Sequence, residues 1–228
     1  MSQRAEETHP HEARREAASV AVCSSAVLTL LALVSWREGW EVVSFPWWTW
    51  LVLAIPGLVL CLDLWLGTGG LGARGRNSAL VLLGLIVAGN VAGLALLISS
   101  LVTTRSADIG GGQLLMTAAV IWVANILAFA VWYWEVDDGG PFARANKERR
   151  TPDFQFPQDE NPELARRSPW RPRIWDYLYV SLTAASAFSP TDAMPLTYRA
   201  KALLGIESTV SLVIVVLVTA RAVNVLGS

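Results

Sequence analysis

Charge is what this chain has least of. Only 16% of its 228 residues are Asp, Glu, Lys or Arg, against 53% hydrophobic, where a soluble domain carries about a quarter charged. The solvent expected for most of the chain is therefore a lipid bilayer. The formal net charge of −1 leaves no basic surplus to gather against phosphates, which argues against a nucleic-acid partner. Cysteine is scarce: Cys23 and Cys61 both fall inside apolar runs, which excludes an extracellular disulfide framework and reads as small buried side chains. Histidine is equally sparse, with His9 and His11 confined to a polar leader. Two His without further ligands are poor evidence for a metal site, and no His-Glu-x-x-His, Gly-x-Ser-x-Gly or phosphate-cradling glycine loop occurs. Ser189 has no base to activate it, so neither enzyme nor cofactor chemistry is expected.

What is present is a series of apolar runs. Residues 17–36, 47–66, 78–102, 113–134 and 203–226 are each long enough, as helix, to cross about 30 Å of hydrocarbon. A sixth, 174–189, is marginal in length. The expected fold is an all-α polytopic membrane helix bundle of six hydrophobic helices, the fifth short and either crossing or re-entrant. It divides into a polar tail (1–16), a four-helix transmembrane region (17–134), a charged loop (135–173) and a helix–turn–helix segment (174–228). The leader mixes four Glu with three Arg ahead of a long apolar core, unlike a short basic signal peptide, so the first run is read as a retained span. Arg far outnumbers Lys, with Lys147 and Lys201 alone, and Ala, Val, Leu and Gly dominate, a bias that fits a GC-rich bacterial genome and an inner-membrane location.

The short connections 67–77 and 103–112 are rich in Gly, as tight turns require. The loop 135–173 is different. Its balanced charges and its prolines, including Pro141, Pro152, Pro157, Pro162 and Pro169, predict an irregular excursion outside the membrane with no dry core of its own. If all six helices cross, thirteen Arg and Lys lie on the side of the N-terminus and this loop. Four (Arg37, Arg105, Arg199 and Lys201) lie on the other, Arg221 left aside. The basic side is the cytoplasmic one, so both termini are expected there. Trp36, Trp40, Trp47, Trp48 and Trp50 flank one turn and Trp132, Trp134, Trp170 and Trp175 flank the long loop, as interfacial belts would. Gly84, Gly89 and Gly93 set a small-residue face for close helix packing.

The segment from Ile174 reads Ile-Trp-Asp-Tyr-Leu-Tyr-Val-Ser-Leu-Thr-Ala-Ala-Ser-Ala-Phe-Ser-Pro-Thr-Asp-Ala-Met-Pro-Leu-Thr. It resembles the pore module of two-transmembrane potassium channels, in which a pore helix with hydroxyl side chains precedes a Thr-Val-Gly-Tyr-Gly-Asp-x-x-Pro-x-Thr filter. Asp192, Pro195 and Thr197 match the last motif positions, and Thr183 and Ser186 match hydroxyl positions of the pore helix. The Phe-Ser-Pro-Thr-Asp signature is also similar to that of a group of actinobacterial multi-pass membrane proteins, a resemblance that brings no established activity. The filter positions Ala187, Phe188, Ser189, Pro190 and Thr191 lack both glycines, and Pro190 fixes its own φ. Potassium selectivity through stacked carbonyls is therefore not expected.

The resemblance implies a path for ions or small solutes through a homo-oligomer in the lipid bilayer, lined by Thr183, Ser186, Ser189, Thr191, Asp192 and Glu207. Glu207 stands a few residues into the last span, where a charge is costly unless paired or hydrated; its alternative reading is a structural pair with Arg199 or Lys201. Asp63, Asn90 and Asn125 are polar groups within spans and are expected to be structural. The competing function is a non-conducting scaffold in which the same residues cap and pair helices. A secondary transporter ranks below it, because Pro56 and Pro190 form no matched pair of broken helices.

Overall fold

In this computed structural model the described residues are 111–140, 151–161, 170–186 and 193–226, with 143, 163 and scattered positions between 22 and 95. They are mostly helical. Three helices make the core: α1 (Gly111–Val136), α2 (Ile174–Ser186) and α3 (Tyr198–Leu226). Among the described residues two stretches, Leu115–Gly139 and Tyr198–Ala220, are long and apolar enough to cross a membrane. At a rise of about 1.5 Å per residue α2 reaches only about 20 Å, short of the hydrocarbon thickness.

Direction follows from the cross-helix contacts. Tyr177 of α2 bonds Asp137 just past the end of α1, Ser181 bonds the Ile126 carbonyl, and the Trp122 indole bonds the Ala185 carbonyl. As numbers rise along α2 they fall along α1, so the two are antiparallel. On α3, Arg199 reaches the Val136 carbonyl, Glu207 meets Tyr133 and Ser211 meets Asn125, so α3 is antiparallel to α1 as well and runs with α2. The chain is thus back at the end where α2 began by Met194. There Met194–Pro195 (β2) pairs antiparallel with Phe154–Gln155 (β1), and the Leu196 N–H bonds the Asp153 carbonyl. Both ends of the α2 excursion lie at one end of α1.

Helix ends are set by local chemistry. Past α1, Asp138 (φ 49), Gly139 (φ 81) and Gly140 (φ 91) take left-handed or extended-positive backbone, and the Gly140 N–H bonds the Asp137 carbonyl. A Cβ on Gly140 would come within 3.0 Å of the Glu135 carbonyl oxygen, which is why glycine stands there. At the start of α2, the Asp176 carboxylate accepts the Arg173 N–H (2.6 Å), the backward half of a capping box. Thr197 caps α3 by accepting the Ala200 N–H.

The largest buried cluster contradicts the expectation of a loop without a dry core. Phe154 and Phe156, 1% and 3% exposed, pack with Phe129, Tyr133, Trp134, Ile174, Tyr177 and Val180. Phe154 lies 5.2 Å from the Tyr133 ring centroid and Phe156 5.5 Å from that of Tyr177. The alternating Phe154 and Phe156 put two aromatic rings on one face. Trp134 also leaves the expected belt for this core, and Trp170 packs on Phe156, whereas Trp36, Trp48 and Trp175 are exposed.

Described helical positions in the first half supply a second layer. Ala32 and Leu94 pack with Ala118, Ile121, Val210 and Ile214, Ala54 packs with Ala124, and Leu83, Ile86 and Val87 join the aromatic cluster. Gly93 faces α1, where a Cβ would touch Ile121 Cδ1 at 3.6 Å. Gly84 does not act as a close-approach point among the described residues, since a Cβ there would meet nothing within 4 Å; Gly89 is half-buried. Their outward positions are apolar, as are those of α3: Leu30, Leu33, Ile55, Leu62, Val81 and Leu85 are exposed, and so are Leu212 and Val216. Inward, small and polar residues (Ala32, Ala54, Ser25) are buried.

Candidate functional site

The site is the seat of α2 between α1 and α3. Side chains of both neighbouring helices reach carbonyls in the last described turn of α2. Ser208 of α3 donates to the Ala184 carbonyl (3.2 Å), and the Trp122 indole N–H of α1 reaches the Ala185 carbonyl at 3.5 Å. Within the helix, the Ser186 hydroxyl turns back onto the Leu182 carbonyl. The last described turn of α2 thus receives side-chain donors from both flanking helices.

Midway along α2 lies a buried polar knot. Glu207 is 0% exposed and accepts the Tyr133 hydroxyl at Oε2, while its Oε1 is in hydrogen-bond contact with Ser181 Oγ. Ser181 Oγ also lies 2.8 Å from the Ile126 carbonyl oxygen. One turn further along α3, Ser211 accepts the Asn125 side-chain N–H at 3.4 Å, and Asn125 Oδ1 is buried without a hydrogen-bond partner among the described residues. All of these groups sit on the inner faces of α1, α2 and α3, so the knot ties the three helices at one level.

A second polar cluster closes the loop end. Asp137 Oδ1 accepts the backbone N–H groups of Asp153 (2.7 Å) and Phe154 (3.1 Å), and Oδ2 accepts the Tyr177 hydroxyl at 2.5 Å. Asp153, 0% exposed, receives the Thr197 hydroxyl and both Nε and Nη2 of Arg199. One carboxylate thus docks the loop on α1 and α2, and the next docks it on α3. In the short helix Pro157–Glu160, burial pushes the Asp159 carboxyl above its ordinary range, against the lowering effect of the Phe156 N–H.

The residues singled out by sequence divide accordingly. Glu207 pairs with Tyr133 and Ser181, not with Arg199 or Lys201; Arg199 is held by Asp153, and Lys201 lies 6.0 Å over the Tyr198 ring. Thr183 and Ser186 are brought to α2, but their hydroxyls bond carbonyls of their own helix. Ser189, Thr191, Asp192, Asp63 and Asn90 lie outside the described residues. Missed by sequence reasoning were Tyr133, Ser181, Trp122, Ser208, Asp137, Tyr177 and Asp153. The run Glu135-Val136-Asp137-Asp138-Gly139-Gly140 at the end of an apolar helix was a signal that could have flagged Asp137, because acidic residues oppose the dipole at a helix C-terminus and need partners. Comparison with family models, with curated proteins and with solved structures gives no match.

Proposed function

We propose that the chain is a multi-pass inner-membrane protein whose C-terminal module carries a re-entrant helix, and that copies of it form a permeation pore for ions or small solutes without potassium selectivity. In this reading α1 and α3 span the bilayer, and α2 enters from the side of the 135–173 loop and stops within the membrane. The observation that carries it is the capping of the Ala184 and Ala185 carbonyls by Ser208 and Trp122. A helix can end at hydrocarbon depth only where protein supplies the missing donors. Re-entrance also changes the charge count. Arg199 and Lys201 join the loop side, so fifteen Arg and Lys face three (Arg37, Arg105, Arg221), a stronger bias than a sixth crossing gives. The N-terminus and the loop are then cytoplasmic, and the C-terminus lies on the opposite face.

Residues 187–192 follow the capped end of α2 and supply the path candidates Ser189, Thr191 and Asp192. Glu207 is not a path residue in this reading, because it is enclosed by the three helices. Two measurements test the proposal. Cysteines introduced as Glu160→Cys and Ser228→Cys should react with a membrane-impermeant maleimide from opposite faces; reaction from one face refutes re-entrance. Reconstituted protein should conduct in planar bilayers with currents altered by Asp192→Asn, and silent bilayers at high occupancy refute the pore.

A second reading, a non-conducting scaffold, is favoured by one observation: the Thr183, Ser186 and Glu207 polar groups are all spent on partners inside the protein. It predicts the same labelling pattern with no current.

A further inference from the structure

The oxygens around Glu207 can be assigned their hydrogens by counting. A serine hydroxyl carries one proton. Ser181 Oγ lies 2.8 Å from the Ile126 carbonyl oxygen and in hydrogen-bond contact with Glu207 Oε1. If Glu207 were a carboxylate, both neighbours would be acceptors. One of the two contacts would then set lone pair against lone pair. If instead Glu207 carries a proton on Oε1, it donates to Ser181 Oγ, Ser181 donates to the Ile126 carbonyl, and Tyr133 donates to Oε2. Every oxygen then has a hydrogen between it and its neighbour, and each donor is used once.

The surroundings agree. Glu207 and Ser181 are both 0% exposed. From α1 the titratable group facing Glu207 is Tyr133. From α2 the facing group is Ser181, with Tyr177 one turn away and engaged by Asp137. On α3 itself, Arg199 stands two turns back and is committed to Asp153. Among the described residues no cation is placed against the carboxyl. An uncompensated charge enclosed this way is strongly disfavoured.

We propose that Glu207, Ser181 and the Ile126 carbonyl form a proton-binding site that seats α2, with Glu207 a neutral carboxylic acid when the helices are packed. Proton release breaks the Oε1–H bond and leaves its electron pair on the carboxylate, the proton passing to hydroxide or a basic buffer. The Ser181 hydroxyl then rotates from the Ile126 carbonyl onto Oε1, and one of the bonds that tie α2 to α1 is lost. The module is thereby a pH-responsive joint: α2 is held while the site is loaded and loosened from α1 when it is empty. The inference goes beyond the pore reading and stands on the packing of α1, α2 and α3, so a silent bilayer leaves it intact.

Infrared spectroscopy of the full chain in lipid vesicles at neutral pH tests it. The wild type should show the carbonyl stretch of a protonated carboxylic acid. That band should disappear in Glu207→Gln and move upward in Ser181→Ala, where the acid loses its acceptor. Gln at 207 reproduces the neutral donor and acceptor, so this variant is expected to fold. Should it fail to fold, Ser181→Ala alone decides, since an ionised Glu207 gives no acid band to shift. A maleimide-reactive Ser186→Cys should label faster as pH is raised in the wild-type background and independently of pH with Glu207→Gln, after correction for the reagent's own thiolate dependence on a cysteine outside α2. An acid band unaffected by both variants, or labelling with the same pH profile in both backgrounds, overturns the proposal.

Discussion

The pairing of Asp153 with Arg199 makes an asymmetric prediction. The Asp153 side chain is fully enclosed, whereas the Arg199 side chain is 50% exposed. Arg199→Ala removes two charge-assisted donors from a buried carboxylate, leaving the Thr197 hydroxyl as its side-chain donor among the described residues. Breaking a buried pair from one side costs about 3–5 kcal/mol, and the channel left by the half-exposed guanidinium admits some water, which places the value near the lower bound. Asp153→Ala is milder, because the released guanidinium turns out into solvent. The loss is then that of hydrogen bonds to a charged group, about 1.5–3 kcal/mol, less what rehydration of Arg199 returns. Near the unfolding midpoint, a 3 kcal/mol loss in a chain of this size lowers Tm by roughly 6–12 °C. Thermal unfolding in detergent, followed by tryptophan fluorescence, measures all three chains: the two single variants and the double variant Asp153→Ala with Arg199→Ala. The double variant should lie close to Asp153→Ala alone, since the stranded carboxylate is gone. The reasoning is refuted if Arg199→Ala shifts Tm no more than Asp153→Ala, or if the two losses simply add.

Two further outcomes follow from the loop and its turn. Phe154→Ala removes a ring 1% exposed that touches Tyr133 and Tyr177, so it should cost about 3–5 kcal/mol and speed proteolytic cleavage between residues 141 and 170; an unchanged cleavage rate would show that the loop is not docked. Gly140→Ala meets the Glu135 carbonyl at 3.0 Å with φ +91 and should destabilise by about 1–3 kcal/mol, whereas Gly205→Ala, with nothing within 4 Å, should be neutral or stabilise by up to about 1 kcal/mol in the helix interior. Urea titration of each ranks them, and equal effects would contradict the backbone argument.

How much of this was legible in the sequence depends on which physical rule each residue obeys. The apolar runs that become α1 and α3 could be read directly, since helix length and hydrophobicity are local properties. The short run at 174–189 was readable as marginal, either crossing or re-entrant, while its partners far along the chain, Trp122 and Ser208, were not, because no local pattern encodes their relation to Ala184 and Ala185. Glu207 stood out as a polar group in an apolar helix. Its neighbours Tyr133 and Ser181 did not, because a Tyr near a helix end and a Ser in a mixed helix are ordinary there. The same holds for the loop: charge and proline density gave no sign that Phe154 and Phe156 bury, which follows from Asp137 accepting the Asp153 and Phe154 N–H groups and Asp153 holding Arg199 just before them.

Why α2 is held by polar contacts follows from the proposed solvent. In water a 13-residue helix could be held by burying an apolar face. In lipid the tails are as apolar as leucine, so association rests on close packing and on hydrogen bonds. The inner face of α2 is built that way: Tyr177, Ser181, Ala184 and Ala185 are buried, while Trp175, Tyr179 and Leu182 are exposed. Small residues let the backbones approach, and polar contacts at Tyr177, Ser181, Ala184 and Ala185 fix the depth of the helix at four levels. Such a seat is specific in register but limited in strength, since intramembrane hydrogen bonds contribute only about 1 kcal/mol each. A change in one of them, above all at Ser181, where α1, α2 and α3 meet, is therefore large enough to shift the helix without unfolding the rest.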